Sequence, residues 1–146
     1  MKSILIADDD IIQCTVLSKE LRGAGYNTEF VCNGKEAIEY LTAKPADLLL
    51  LDPDLPVKNG FLVLQELNER EINVKVIVLT ADSDVKSAFD AARISAYEFF
   101  IKPYDFEVLL QTIEKALVKE EVGHNKLSEN QNDNEELNNK IRTGGD

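Results

Sequence analysis

Acidic residues crowd one short motif of this chain, Asp8-Asp9-Asp10, and recur as Asp52 and Asp54, while a hydroxyl at Thr80 and an ammonium at Lys102 follow later apolar runs. Crowded carboxylates raise one another's pKa unless a cation sits among them. With oxygen donors alone and no His or Cys at metal-ligand spacing, the expected cation is a hard one. Mg2+ suits the set, because it keeps several waters and takes few protein carboxylates together with a phosphate. A carboxylate can also act as a nucleophile and form an aspartyl phosphate, and phosphoryl transfer asks chiefly for positioning and charge neutralisation. Lys102 would join Mg2+ in that neutralisation, and Thr80 would donate a hydrogen bond to a phosphoryl oxygen.

Residues this far apart in sequence meet only if the intervening elements carry them to one place. Short apolar runs at Ile4–Ala7, Thr28–Val31, Asp47–Leu51, Val74–Leu79 and Glu98–Ile101 read as five strands. Stretches of helical period fit between and after them. The first carries Ile12, Val16, Leu17 and Leu21 and stops near Gly23-Ala24-Gly25. Asn33 with Glu36 has the form of a capping box before Ala37, Ile38 and Leu41. Further helices are expected over about 59–70, 84–93 and 105–117. The fold class is therefore α/β, a (βα)5 pattern. Runs such as Leu48-Leu49-Leu50-Leu51 are apolar at every position, which predicts a parallel sheet covered on both faces. In such a sheet the ligand site lies outside the carboxyl ends of the strands, where strand order reverses. Asp8, Asp52, Thr80 and Lys102 all fall just past predicted strand ends.

The 146 residues, 44% hydrophobic, suffice for one domain with a real core. Sixteen Lys plus Arg against 27 Asp plus Glu leave a net charge of −11, which repels nucleic-acid backbones and anionic membrane surfaces. Two cysteines, Cys14 and Cys32, fit a reducing cytoplasm and read as buried thiols. The longest wholly apolar run is too short to span a membrane. From residue 120 to 146 the chain is rich in Asn, Glu and Lys and reads as a polar tail or linker, disordered by composition, with His124 solvated within it. Only Leu137 and Ile141, spaced i,i+4, hint at a short helix there.

The motifs Ile4-Leu-Ile-Ala-Asp-Asp-Asp10, Asp47-Leu-Leu-Leu-Leu-Asp-Pro-Asp-Leu-Pro56, Asn59-Gly60, Val76-Ile-Val-Leu-Thr-Ala81 and Phe99-Phe-Ile-Lys-Pro103 stand in an order and spacing that resembles the response-regulator receiver domain of two-component signalling. The resemblance covers residues 1 to about 119. It implies a doubly wound, flavodoxin-like sheet of order 2-1-3-4-5 and a phospho-acceptor at Asp52. It also implies Mg2+ held by Asp8, Asp9, Asp52 and the backbone carbonyl of Asp54, with Lys102 paired to the phosphoryl group. Thr80 and Phe99 match the family's switch pair, which reshapes the face built from the fourth helix, fifth strand and fifth helix, and the peptide before Pro103 matches one that is typically cis. The implied partners are a sensor histidine kinase or phosphotransfer protein, with an output domain or a homodimer on that face. The chain would then be no enzyme beyond catalysing its own phosphorylation and dephosphorylation.

Two residues depart from the family pattern, Pro53 and Asp54, just after the acceptor position. Pro53 has no N–H to offer a phosphoryl oxygen. Asp54 and Asp82 are implied to flank the path of water to the phosphorus. Taken singly, Asp10 reads as a helix N-cap, Asp52-Pro53-Asp54 as turn chemistry, and adjacent Phe99 and Phe100 as residues on opposite faces of a strand. Leu51-Asp-Pro-Asp-Leu also resembles the Asp-x-Asp pair of haloacid-dehalogenase-like phosphatases, with Asp54 as general acid. A docking module that is never phosphorylated is the remaining alternative.

Overall fold

Strands and helices alternate strictly through residues 1–118, the portion described by the computed structural model. In chain order they are β1 (Ser3–Ala7), α1 (Ile11–Gly23), β2 (Asn27–Val31), α2 (Gly34–Ala43), β3 (Leu48–Leu51), α3 (Gly60–Glu69), β4 (Lys75–Thr80), α4 (Val85–Ala91), β5 (Glu98–Ile101) and α5 (Phe106–Ala116). All strand pairs are parallel and the sheet order is β2-β1-β3-β4-β5. The expected five-fold βα pattern and strand order therefore hold. The polar tail over 120–146, with Leu137, Ile141 and His124, lies outside the described residues. Among the described residues no helix is long and apolar enough to cross a membrane.

Side-chain alternation along the strands divides the core in two. Leu5, Ala7, Leu49, Leu51, Val76 and Val78 face a cluster completed by α2, α3 and α4. Ile4, Ile6, Leu48, Leu50, Ile77 and Leu79 face one completed by α1 and α5. Each central strand is thus buried on both sides, the reason its sequence is apolar without a break. Phe99 joins the first cluster and Phe100 the second, so both pack inward from opposite faces.

Two expectations need correction. The buried stripe of α1 is Cys14, Leu17, Ser18 and Leu21, whereas Ile12 and Val16 are exposed at 77% and 53%. Positions 14, 17, 18 and 21 follow the i, i+3, i+4, i+7 rule, but Cys and Ser lack the aliphatic signature that marks such a stripe in sequence. Cys14 is buried as expected, but Cys32 is only half-buried, because it lies just past the end of edge strand β2. Burial, and next the neighbouring Asp8, push the Cys14 thiol up to about 12, which leaves it protonated and inert.

Helix starts follow local capping chemistry. The carboxylate of Asp10 accepts from the Gln13 amide, Asn33 from Glu36, Asn59 from Leu62, and Asp105 from Glu107 and Val108. Glu36 also reaches back, but to the amide of Cys32, one residue before the Asn33 N-cap, rather than to Asn33 itself as in the expected capping box. At the foot of α2, Gly34 lies against the β3–α3 loop so closely that a Cβ there would sit 1.7 Å from the Lys58 carbonyl oxygen. Gly34→Ala is therefore expected to destabilise the chain by about 2–3 kcal/mol, the cost of forcing an atom into packed backbone. Urea denaturation checks it, and a midpoint equal to the parent's would contradict the contact.

Candidate functional site

Reversal of strand order occurs between β1 and β3, whose last residues Ala7 and Leu51 pair in register. Asp8 and Asp52 emerge side by side from those two strands. Asp8 is buried, 6% exposed, and its Oδ1 accepts from the Asp10 amide at 3.0 Å. Asp52 Oδ1 accepts from the Asp54 amide at 2.9 Å. The remaining oxygens share one partner: Lys102 Nζ donates to Asp8 Oδ2 at 2.9 Å and to Asp52 Oδ2 at 3.0 Å. Lys102 stands just past β5, two strands from Asp52, and its backbone amide is tied to the Thr80 carbonyl at 2.7 Å. A long, flexible lysine stem is what lets it reach across the end of β4.

Thr80 closes β4 and is 1% exposed, so it belongs to the strand rather than following it. Its hydroxyl accepts from the Asp82 amide at 3.0 Å, while Asp82 Oδ1 accepts from the Asp84 amide. The hydroxyl is thereby held in a turn and keeps its own proton free for donation. Of the remaining expected residues, Asp9 and Asp54 are exposed and their carboxylates do not join the Asp8–Lys102–Asp52 triad. Phe99 is also apart, its ring edge-on to Phe89 at 5.2 Å within the α3/α4 side of the core. The Lys102–Pro103 peptide is cis, as the resemblance implied. Pro53 is buried and packs against Gly60, whose amide donates to the Pro53 carbonyl at 2.8 Å. The residue that departs from the family pattern thus closes its own loop.

The description "response regulator receiver domain" fits residues 4–114 of this sequence. The chain belongs to the response-regulator receiver family. ZraR, a transcriptional regulatory protein of Escherichia coli K12, is 39% identical over 114 residues, which make up 78% of this chain and 26% of that regulator. The DNA-binding transcriptional regulator NtrC of the same strain is 32% identical over 114 residues, 78% of this chain and 24% of NtrC. This receiver thus spans about a quarter of the length of the curated relatives it matches. Among solved structures, the response regulator TrrA of Thermotoga maritima in complex with Mg2+ and BeF is 32% identical, with a TM-score of 0.72 over 80% of this chain and 100% of that one. The receiver domain of a sensor histidine kinase from Pseudomonas aeruginosa PAO1, which carries a magnesium ion in its active-site cleft, is 25% identical, with a TM-score of 0.70 over 78% of this chain and 95% of that one. Nothing in these likenesses favours the phosphatase or the docking-only reading.

Within the receiver the donor set can be tested against Mg2+. Asp8 and Asp52 bring two negative charges to one ammonium, in a pocket where their side chains are only 9% and 16% exposed. One charge is left uncompensated, with Asp9 beside it at the rim. Among the described residues no three His, Cys, Asp or Glu side chains converge as a metal cage. An all-oxygen donor set with a net negative charge is the kind that suits Mg2+, which keeps most of its waters. Sequence reasoning passed over Lys58, Glu66 and Arg70, which hold the loop after Asp52. No motif marks them, since their link is an ion pair between a loop and a helix turn.

Burial works to lower the pKa of Lys102, and hydrogen bonds from its ammonium to Asp8 and Asp52 outweigh it, so the group sits above its ordinary 10.5. A folded pKa above the unfolded one adds stability that is full below the unfolded value and is lost as pH rises through the folded value. Above pH 10.5 the parent should therefore lose stability more steeply than Lys102→Met. Comparing urea midpoints of the two across that range cancels the other lysines and the tyrosines apart from Tyr104, whose hydroxyl feels the Lys102 charge. Parallel alkaline profiles would contradict the bridge.

Proposed function

We propose that this receiver takes a phosphoryl group from a phosphohistidine onto Asp52. The observation that carries the reading is buried Asp8 and half-buried Asp52 on one ammonium at the strand-order reversal, two carboxylates with one cation between them. Asp52 Oδ would attack phosphorus as the P–N bond breaks, and the electron pair would leave on the imidazole nitrogen, which regains a proton. Asp8, Asp9, Asp52 and the Asp54 carbonyl are the residues that would hold Mg2+, whose chemistry is to neutralise charge on the phosphoryl oxygens. Lys102 would shift from its two carboxylates toward the phosphoryl group, and the Thr80 hydroxyl would donate to it, with Phe99 following as the aromatic half of the switch.

The same reading supplies partners. A groove of about 670 Å3 runs along exposed Ile12 and Val16 to Pro103, Tyr104 and Phe106 and ends at Lys102. A histidine kinase or phosphotransfer protein seated there would bring its phosphohistidine to the acceptor, which explains why α1 shows aliphatic side chains to solvent. Exposed Tyr97, Ile101 and Val108 on the α4–β5–α5 face suit an output domain or a second copy. Such a module signals and turns over no substrate but its own phosphoryl group. Free Cys14 and Cys32 support a cytoplasmic setting. We assign residues 1–119 to the receiver and 120–146 to a polar tail or linker, supported by a family match that stops at 114 and an α5 that stops at Ala116.

Intact mass after incubation with Mg2+ and a small phosphodonor tests the reading. One phosphoryl group per chain is expected for the parent and none for Asp52→Asn, and equal labelling of both would overturn it. The lifetime of the phosphorylated state carries a second prediction. The exposed carboxylate of Asp54 would accept a hydrogen bond from an attacking water, whereas that of Asp82 already caps the Asp84 amide. Asp54→Ala should lengthen the half-life about tenfold or less, equivalent to roughly 1.4 kcal/mol in the barrier, and Asp82→Ala should lengthen it by less. Shortened half-lives would mean that charge repulsion dominates.

A further inference from the structure

The loop between Asp52 and α3 contains a backbone feature that its sequence disfavours. Val57 has φ +69°, and the Lys58 amide donates back to the Pro56 carbonyl at 2.7 Å. A hydrogen bond spanning two residues with positive φ at the centre is the strained form of the γ-turn, and a β-branched side chain is among the poorest choices for it. Such a conformation persists only where its surroundings over-determine it.

Two sets of contacts do so. On one side the Pro56 carbonyl also accepts from the Gly34 amide at 3.2 Å, and the Lys58 carbonyl rests against Gly34. On the other, the Lys58 ammonium makes a close ion pair with Glu66 Oε1 on α3. Arg70 holds the second Glu66 oxygen at 2.6 Å and donates to the Thr42 hydroxyl on α2 at 3.3 Å. Lys58 and Arg70 together hold the Glu66 carboxyl below the usual carboxylate range, so the pair is charged at neutral pH. The Lys58 and Glu66 side chains are 31% and 20% exposed, a setting in which an ion pair is better shielded from solvent than on an open surface.

We propose that Lys58 is a positioning residue: through Glu66 it clamps the strained Val57 turn and so sets the path of the loop that carries the Asp54 carbonyl past Asp52. The inference rests on the Mg2+ and phospho-acceptor reading of that site. The loop between the acceptor and the clamp is short, and it is also tied by the Asp54 amide on the Asp52 carboxylate and the Gly60 amide on the Pro53 carbonyl.

Position and charge make opposite demands on Mg2+ affinity, which gives the test its edge. Removing a cation near the site by electrostatics alone would tighten Mg2+ binding, whereas a slack loop weakens it. The full chain is titrated with Mg2+ by calorimetry, alongside amide hydrogen exchange at Lys58 and Gly60. Lys58→Met should weaken Mg2+ binding about fivefold and speed exchange at both amides, the size expected for a residue coupled to a site through one interaction. Lys58→Arg, which keeps the pair, should match the parent. Adding Val57→Asn to Lys58→Met should bring affinity back to within about twofold, because Asn accepts positive φ and the clamp has less strain to hold. Unchanged or tighter Mg2+ binding in Lys58→Met overturns the proposal, and so does a loss that Val57→Asn fails to rescue. A parent whose Mg2+ binding ignores Asp52→Asn would overturn the site reading itself, and the clamp with it.

Discussion

Everything at the C-terminal edge of this sheet depends on one ammonium shared by two carboxylates. Lys102 is nearly as buried as the acids it serves, so water screens the triad only in part, and its charge does not sum to zero. Bringing Asp8 and Asp52 together without Lys102 would leave two like charges in a half-buried pocket. With it, a single negative charge remains. A site held together yet short of one cation is stable enough to fold and leaves one negative charge for an incoming cation to balance. The triad also ties the ends of β1, β3 and β5 to one another, which makes the ion network a structural fastening as well as a chemical one.

The topology explains why these three residues and no others meet. Parallel strands deliver all their carboxyl ends to one edge, and the step from β1 outward to β2 and back to β3 opens the crevice between β1 and β3. The unbroken apolar runs Ile4–Ala7, Leu48–Leu51 and Val76–Leu79 in β1, β3 and β4 follow from helices on both faces. The geometry of the Asp8–Lys102–Asp52 triad is thus inherited from the sheet.

Legibility of the sequence followed the range of each interaction. Strands buried on both sides announced themselves by unbroken aliphatic runs, and four of the five helix starts carried a side-chain cap visible as Asp or Asn. Asp8, Asp52 and Lys102 were readable because strand ends are readable. The buried face of α1 was not, since Cys14 and Ser18 occupy half of it, and Ser18 keeps an unpartnered hydroxyl there. Nor was the conformation of Val57: tertiary contacts from Gly34 and Glu66 impose it against the preference of the residue. Local preference fails to foretell a backbone that is held from two other elements.

Transmission away from the triad turns on the weakest helix. Asp84 sits before α4 with helical backbone angles and makes no side-chain cap bond, unlike the residues that start the other four helices. Only seven residues long, α4 is anchored chiefly by Val85 and by Phe89, whose fully buried ring lies between Phe61 and Phe99. The Asp82 amide on the Thr80 hydroxyl and the Asp84 amide on Asp82 form a direct chain from the sheet edge to that uncapped start. Drawing the Thr80 hydroxyl toward a phosphoryl group would pull on the first of these bonds, and no helix cap resists the second. Short helices with few fastenings open at lowest cost. The proposed switch therefore needs no long-range wire, only a threonine whose turn is the first support of the least secured helix and an aromatic ring, Phe99, packed against that helix's single large anchor.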